Sequence, residues 1–204
     1  MLALGGLVYG VIAGVGPAFA VAAVAAALVL LVEHRAGGDA LVPLALFRSA
    51  PFTGALTATG TMTFGAYGLI FLLPLVWLAS GQLGVAQAGL ALMPPELAFF
   101  LVSQRSGQIG ERFGMRLMTA GGTALIGCGL LLTASAWQGM PLWWVEVGLF
   151  VVAIGMGLNT GPLMAVTVGV VAPERSGTAA ALFNVARMIG ATLGVAVLGE
   201  AETG

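Results

Sequence analysis

SAPFTGALTATGTMTFGAYGLIFLLPLVWLASGQLGVAQAGLALMPP, residues 49–95, carries no charged side chain. A helix needs about 20 consecutive apolar residues to cross the hydrocarbon core of a bilayer, so this stretch is long enough for two crossings. The cluster Ser80, Gly81, Gln82 and Gly84 marks the turn between them. Outward from there the pattern repeats. Residues 1–32, 117–145 and 147–173 are also uncharged, and 176–199 holds Arg187 alone. The spacing predicts helical spans over 17–33, 52–79, 87–104, 117–137, 143–171 and 178–199. Residues 2–13 read as the remainder of a further helix. No basic region precedes that apolar run, which argues against a secretory signal.

Composition supports the same fold class, an all-α polytopic transmembrane helix bundle. Of 204 residues, 7% are charged and 59% hydrophobic, where a soluble protein carries roughly a quarter charged residues. Mean hydropathy is +1.06. So few charges cannot cover the surface of a water-soluble domain. A net charge of −1 leaves no basic patch for nucleic acid. Missing residue types argue against several kinds of enzyme. The chain has no lysine, so it has neither a P-loop lysine nor a Schiff-base nucleophile. With His34 as its one histidine and Asp39 as its one aspartate, a His-x-x-x-His zinc pair and an aspartyl dyad are both impossible. No catalytic residue, metal ligand or cofactor is expected. Cys128 is a single cysteine and cannot form an internal disulfide.

Charge in the connections sets orientation. Arginine counts along 34–50, 80–86, 105–116, 138–142, 172–177 and the tail 200–204 run two, none, three, none, one, none. Arginine-bearing connections face the cytoplasm. The four tryptophans Trp77, Trp137, Trp143 and Trp144 flank the two uncharged connections, as an interfacial aromatic belt would.

The segment Gly107-Gln108-Ile109-Gly110-Glu111-Arg112-Phe113-Gly114-Met115-Arg116 resembles the cytoplasmic G-x-x-x-D-R-x-G-x-R loop of the major facilitator superfamily, with Glu111 in place of the usual aspartate. Val42-Pro43-Leu44-Ala45-Leu46-Phe47-Arg48 and Ala172-Pro173-Glu174-Arg175-Ser176-Gly177 look like segments of its fourteen-helix drug:proton antiporter branch, as do Asn184-Val185-Ala186-Arg187 and Gly190. The resemblance implies a partial C-terminal half of a major facilitator fold. Residues 1–33 would be linker helices, the first truncated. Residues 34–51 would be a cytoplasmic loop, and 52–204 a C-terminal bundle lacking its last helix. It implies a multi-pass protein of a bacterial plasma (inner) membrane, exporting drugs or other amphipathic small molecules against protons. Its partners would be the lipid bilayer, a small-molecule substrate, protons, and the missing N-terminal half-bundle or a second copy. A non-transporting fragment, or a structural membrane subunit that depends on a partner, is the competing expectation.

Several residues are candidates for chemistry. Glu111, Arg112 and Arg116, with Gly107 and Gly114 allowing turns and close approach, can latch one conformation or simply form a solvated turn. Arg187 is tenth in its span, where an unpaired charge costs roughly 3 kcal/mol. Asn184, Gly190 and Gly194 share its face, and Gly190-x-x-x-Gly194 permits close helix approach. Arg187 and Asn184 read either as part of a transport pathway or as a buried structural network. Glu96 follows Pro94-Pro95, which interrupt the helical hydrogen-bond ladder. A carboxylate there can take up and release a proton, or serve as a structural partner, with Arg187 as a candidate; the resemblance supplies no carboxylate at this place. Gly148-x8-Gly157-x3-Gly161-Pro162 partly matches the superfamily's antiporter motif. It lacks the terminal glycine pair, where Ala165-Val166 stand, and lies in a different helix. Gly157, Gly161 and Pro162 read as packing and flexing positions, and Asn159 as a candidate for the cavity. Glu146, beside Trp143 and Trp144, reads as solvated at headgroup level.

Overall fold

A computed structural model describes residues 44–135 and 141–203, with side chains from 46 to 197 in those ranges. The expected span 17–33, the remnant 2–13, most of the 34–51 loop and Trp137 lie outside the described residues. Five helices follow one another: α1 (Ala50–Ala79), α2 (Val85–Phe113), α3 (Met115–Ser135), α4 (Leu142–Gly169) and α5 (Ser176–Thr203). Short 3-10 turns at Leu44–Arg48 and Pro173–Arg175 lead into α1 and α5. All five helices are long and apolar enough to cross a membrane, and no strand occurs among the described residues. The all-α reading therefore holds.

Local chemistry sets the helix ends. Pro51 occupies the first turn of α1, where its missing N–H costs no helical bond. Gly81, at φ 67°, makes the tight turn after α1. The Gly84 N–H donates to Gln87 Oε1 at 3.0 Å, fixing the start of α2. The expected connection at 105–116 is helical instead, apart from a single residue. α2 runs on to Phe113, because nothing between Arg105 and Phe113 breaks a helix. Gly114 then turns the chain at φ 90°, a conformation that glycine adopts without steric cost. Its N–H still closes onto the Gly110 carbonyl at 2.9 Å.

α4 is the central helix. Half of its membrane-length window is buried, against 11% for α2. It packs on α3 along one side and on α2 along another, while α1 and α5 pair with each other. Three apolar clusters succeed one another along the bundle. Ala55, Leu163 and Phe183 lie at the arginine-rich end, and Met62, Ala66, Ile126, Val152 and Met156 fill the middle. Leu73, Trp77, Ala88, Val145 and Leu149 close the opposite end. Trp77 is thus a core residue, 2% exposed, and not part of an aromatic belt. It is held where α1, α2 and α4 converge. Trp143 is exposed and stacks edge-on against Trp144, with centroids 5.5 Å apart. Trp144 donates from Nε1 to Ser135 Oγ at 3.1 Å.

Candidate functional site

Charged side chains are rare along the spans of this bundle, so the few present locate its chemistry. The half-buried Arg187 of α5 donates from Nη2 to the Tyr67 hydroxyl of α1, at 3.4 Å. Tyr67 packs its ring against the middle core cluster. It also lines a cavity of about 20 Å³ together with Pro95 and Glu96 of α2 and Val152 and Met156 of α4. Glu96 is exposed on the bundle surface, so it stands at the mouth of that cavity. Arg187 and Glu96 are therefore each brought to one aromatic residue, the first by a hydrogen bond and the second by a shared cavity. Among the described residues, the hydrogen-bond partner of Arg187 is Tyr67, not Glu96. Asn184, one turn before Arg187, is exposed, and its amide donates to the Ala180 carbonyl of its own helix at 3.1 Å.

Gly190 and Gly194, which lie near the Arg187 face at 100° per residue, allow α5 to rest directly on α1. A methyl at Gly190 would press on the Gly60 carbonyl and the Thr63 hydroxyl, and one at Gly194 on the Phe64 carbonyl. Beside that contact, a groove of about 510 Å³ runs between α1 and α5, lined by Phe47, Leu56, Phe64, Ile189, Gly190 and Leu193 among others. Among the described residues, no charged side chain lines it.

The cytoplasmic motif and the glycine-proline motif of α4, separate in sequence, meet in space. A methyl at Gly157 would lie 2.8 Å from Val102 Cβ, one at Gly161 2.8 Å from the Gly107 nitrogen, and one at Gly110 3.3 Å from Pro162 Cγ. Small residues at matched levels of α2 and α4 thus form one close seam. Ser106, fully buried, ties it: its hydroxyl accepts from the Gly161 N–H at 3.2 Å and donates to the Ser103 carbonyl at 2.8 Å. Glu111, Arg112 and Arg116 stand exposed just beyond this seam. Pro94 is exposed and Pro95 buried, and α2 remains helical through both.

Asn159 is placed apart from Arg187. It is 1% exposed and sits between α4 and α3 against Gly122. Its amide is satisfied when the nitrogen donates to the Thr119 carbonyl (3.0 Å) and the oxygen accepts from the Thr123 hydroxyl (3.2 Å). Glu146 is half-buried, and its Oε1 has no hydrogen-bond partner among the described residues. No group of three metal-ligating side chains occurs among the described residues. Tyr67 and Ser106 were not singled out from sequence. A tyrosine in an apolar run carries no local signal of its partner, and Ser106 was hidden beside the more conspicuous Arg105 and Gly107.

The profile of the Major Facilitator Superfamily matches residues 1–195. The chain is 32% identical to the methylenomycin A resistance protein of Streptomyces coelicolor over 182 residues, which is 89% of this chain and 38% of that protein. It is 31% identical to the multidrug resistance protein Stp of Mycobacterium tuberculosis over 210 residues, 98% of this chain and 38% of that one. The tetracenomycin C resistance and export protein of Streptomyces glaucescens is 29% identical over 188 residues, 89% of this chain and 34% of the relative. The chain thus spans well under half the length of these curated relatives. No solved structure matches it. Five membrane-length helices and these bacterial relatives make it a multi-pass integral protein of the bacterial plasma membrane. With the family profile covering nearly its whole length, the chain belongs to the Major Facilitator Superfamily.

Proposed function

We propose that this chain forms most of the C-terminal half-bundle of a proton-coupled efflux transporter, and that the whole protein exports drugs or other amphipathic small molecules. The observation that carries the reading is the meeting of Arg187, Tyr67 and the Glu96-lined cavity partway along membrane-length helices that hold few other charges. Charges at this depth are costly and mark substrate or ion pathways. The names of the relatives, which speak of resistance and export, support the same class. Alternating access needs a second half-bundle to rock against, so the working partner is an N-terminal half or a second copy. Arg187 and Asn184 belong to the pathway or its gate in this reading, Glu96 carries the proton, and the α2–α4 seam with Glu111, Arg112 and Arg116 latches one conformation. Asn159, buried on the far side of α4, supports the pathway by fixing α3 on α4. No covalent chemistry and no cofactor enter.

Dye efflux from cells producing the complete gene product tests this. Efflux that collapses with a protonophore supports it. Normal insertion without efflux would overturn it in favour of a partner-dependent structural subunit. A membrane blot with a C-terminal tag at the native locus then reports the mass of that product, for comparison with the 20.5 kDa of this chain.

A further inference from the structure

We propose that the void between Tyr67 and Glu96 is a water site, and that Tyr67 is the positioning residue through which the two deep charges, Arg187 and Glu96, act on one another. The argument is one of hydrogen-bond direction. A guanidinium only donates, and an ionised carboxylate only accepts, whereas a phenol does both. Tyr67 accepts from Arg187 Nη2 at 3.4 Å, which leaves its own proton for a second acceptor. The cavity that Tyr67 lines measures about 20 Å³, and Glu96 lines it too. A water molecule needs about 10–15 Å³ and two to four polar partners, so the space takes one water and no more. That water would accept from Tyr67 and donate to Glu96. The order Arg187, Tyr67, water, Glu96 then runs donor to acceptor without a conflict, from α5 through α1 to α2. Pro95 lines the same void. Lacking an N–H, it leaves the Ala91 carbonyl, one turn earlier, without its helical donor, and so adds an acceptor to this part of α2. The remaining lining, including Leu92, Phe99 and Leu149, is apolar and offers no competing partner.

The consequence is coupling between helices that share no other side-chain hydrogen bond among the described residues. Satisfied networks in a low-dielectric interior strengthen each bond they contain and fail together when one link is removed. The water site itself does not depend on the efflux reading; its use in transport does.

Thermal unfolding of the complete protein in nanodiscs tests the link. The double variant Glu96→Gln with Arg187→Gln should depart from the sum of the single variants by about 2 °C or more. In a Tyr67→Phe background that departure should vanish. Additivity with Tyr67 present would overturn the proposal, and so would an undiminished departure with Tyr67→Phe. If Arg187→Gln does not fold, infrared spectroscopy replaces it. The Glu96 carboxyl band, assigned by its loss in Glu96→Gln, should shift in Tyr67→Phe, and an unmoved band would overturn the link. A density map of the whole protein fine enough to show ordered water should place a peak between Tyr67 and Glu96, and an empty void would refute the site. None of these readouts needs transport, so a protein that exports nothing would sink the efflux reading and leave this result standing.

Discussion

Two seams in this bundle use the same packing device and differ in what they carry. Along α3–α4, a methyl at Gly155 would lie 2.6 Å from the Gly122 carbonyl, and one at Gly129 2.7 Å from the Gly148 carbonyl. Along α1–α5, Gly190 and Gly194 meet the Gly60 and Phe64 carbonyls. Close backbone approach replaces side-chain interdigitation in both, as suits helices that gain no hydrophobic drive from one another in lipid. The α3–α4 seam is closed by Asn159, whose amide is buried and satisfied. Its counterpart on α1–α5 is edged by a guanidinium bonded to a phenol on one side and an apolar groove on the other. The first seam is finished within the described residues, while the second carries a charge and a face that no described residue covers. Small residues therefore mark where helices touch, and the polar group beside them tells which contact is scaffold and which is machinery.

The largest effect should come from filling either seam. Gly155→Val and Gly190→Val each drive side-chain atoms into backbone that cannot yield unless the helices part, at a cost of about 3 kcal/mol. Monodisperse protein recovered by size exclusion should fall sharply for both at equal synthesis. Survival of Gly190→Val alone would show that α1 and α5 can separate and would sharpen the contrast.

The second effect belongs to the charged seam only. Arg187→Leu should leave insertion and recovery intact while efflux falls by at least about tenfold, an added barrier of about 1.4 kcal/mol. Wild-type efflux would assign Arg187 to scaffold and erase the distinction between the seams. Glu96→Gln should be milder in rate but change its character: export continues down a substrate gradient and no longer responds to an imposed proton gradient. An unaltered response would remove Glu96 from coupling.

How far the sequence carried these distinctions depends on the range of the interaction. The α1 and α4 segments were legible because uncharged runs of membrane length leave a helix little alternative. The end of α2 was not, because charges at 105–116 signal exposure to water and an exposed helix carries the same signal. Trp77 was misplaced for a related reason: an aromatic near a helix end fits both an interfacial belt and a buried end cluster, and only the convergence of Leu73, Ala88 and Val145 decides. The glycine spacing on α5 could be read, but not the carbonyls it rests on. Arg187 announced itself by cost, whereas its partner Tyr67, 120 residues away, left no trace in local pattern. Asn159 shows the opposite limit, since a polar residue in an apolar run attracts a cavity reading even where Thr119 and Thr123 already satisfy it.

That ambiguity gives the next test. Asn159→Ala removes the group that satisfies the α3–α4 seam and leaves a small void beside Gly122. It should cost about 1–3 kcal/mol of stability, read as a lower unfolding temperature, with efflux per folded molecule near wild type. Asn184→Ala should do the reverse. Its amide is exposed and bonds within its own helix, so stability should move by less than about 0.5 kcal/mol while efflux drops. Exchange of these two phenotypes would invert the assignment of scaffold and machinery.

The smallest predicted effect concerns the third seam, α2–α4, and asks to which class it belongs. Ser106→Ala keeps the close packing of Gly107 on Gly161 but removes the acceptor of the Gly161 N–H bond and the donor to the Ser103 carbonyl. A typical intramolecular hydrogen bond contributes about 1 kcal/mol, so unfolding should shift by a few degrees at most. Placed at the end of α2 that carries Glu111 and Arg112, the substitution loosens the seam without touching those charges. Loss of efflux well beyond the loss of stability, matched by Arg112→Ala at unchanged membrane levels, would group α2–α4 with the moving seam. Equal, small losses in both would make it scaffold like α3–α4, with its charges no more than a solvated helix end.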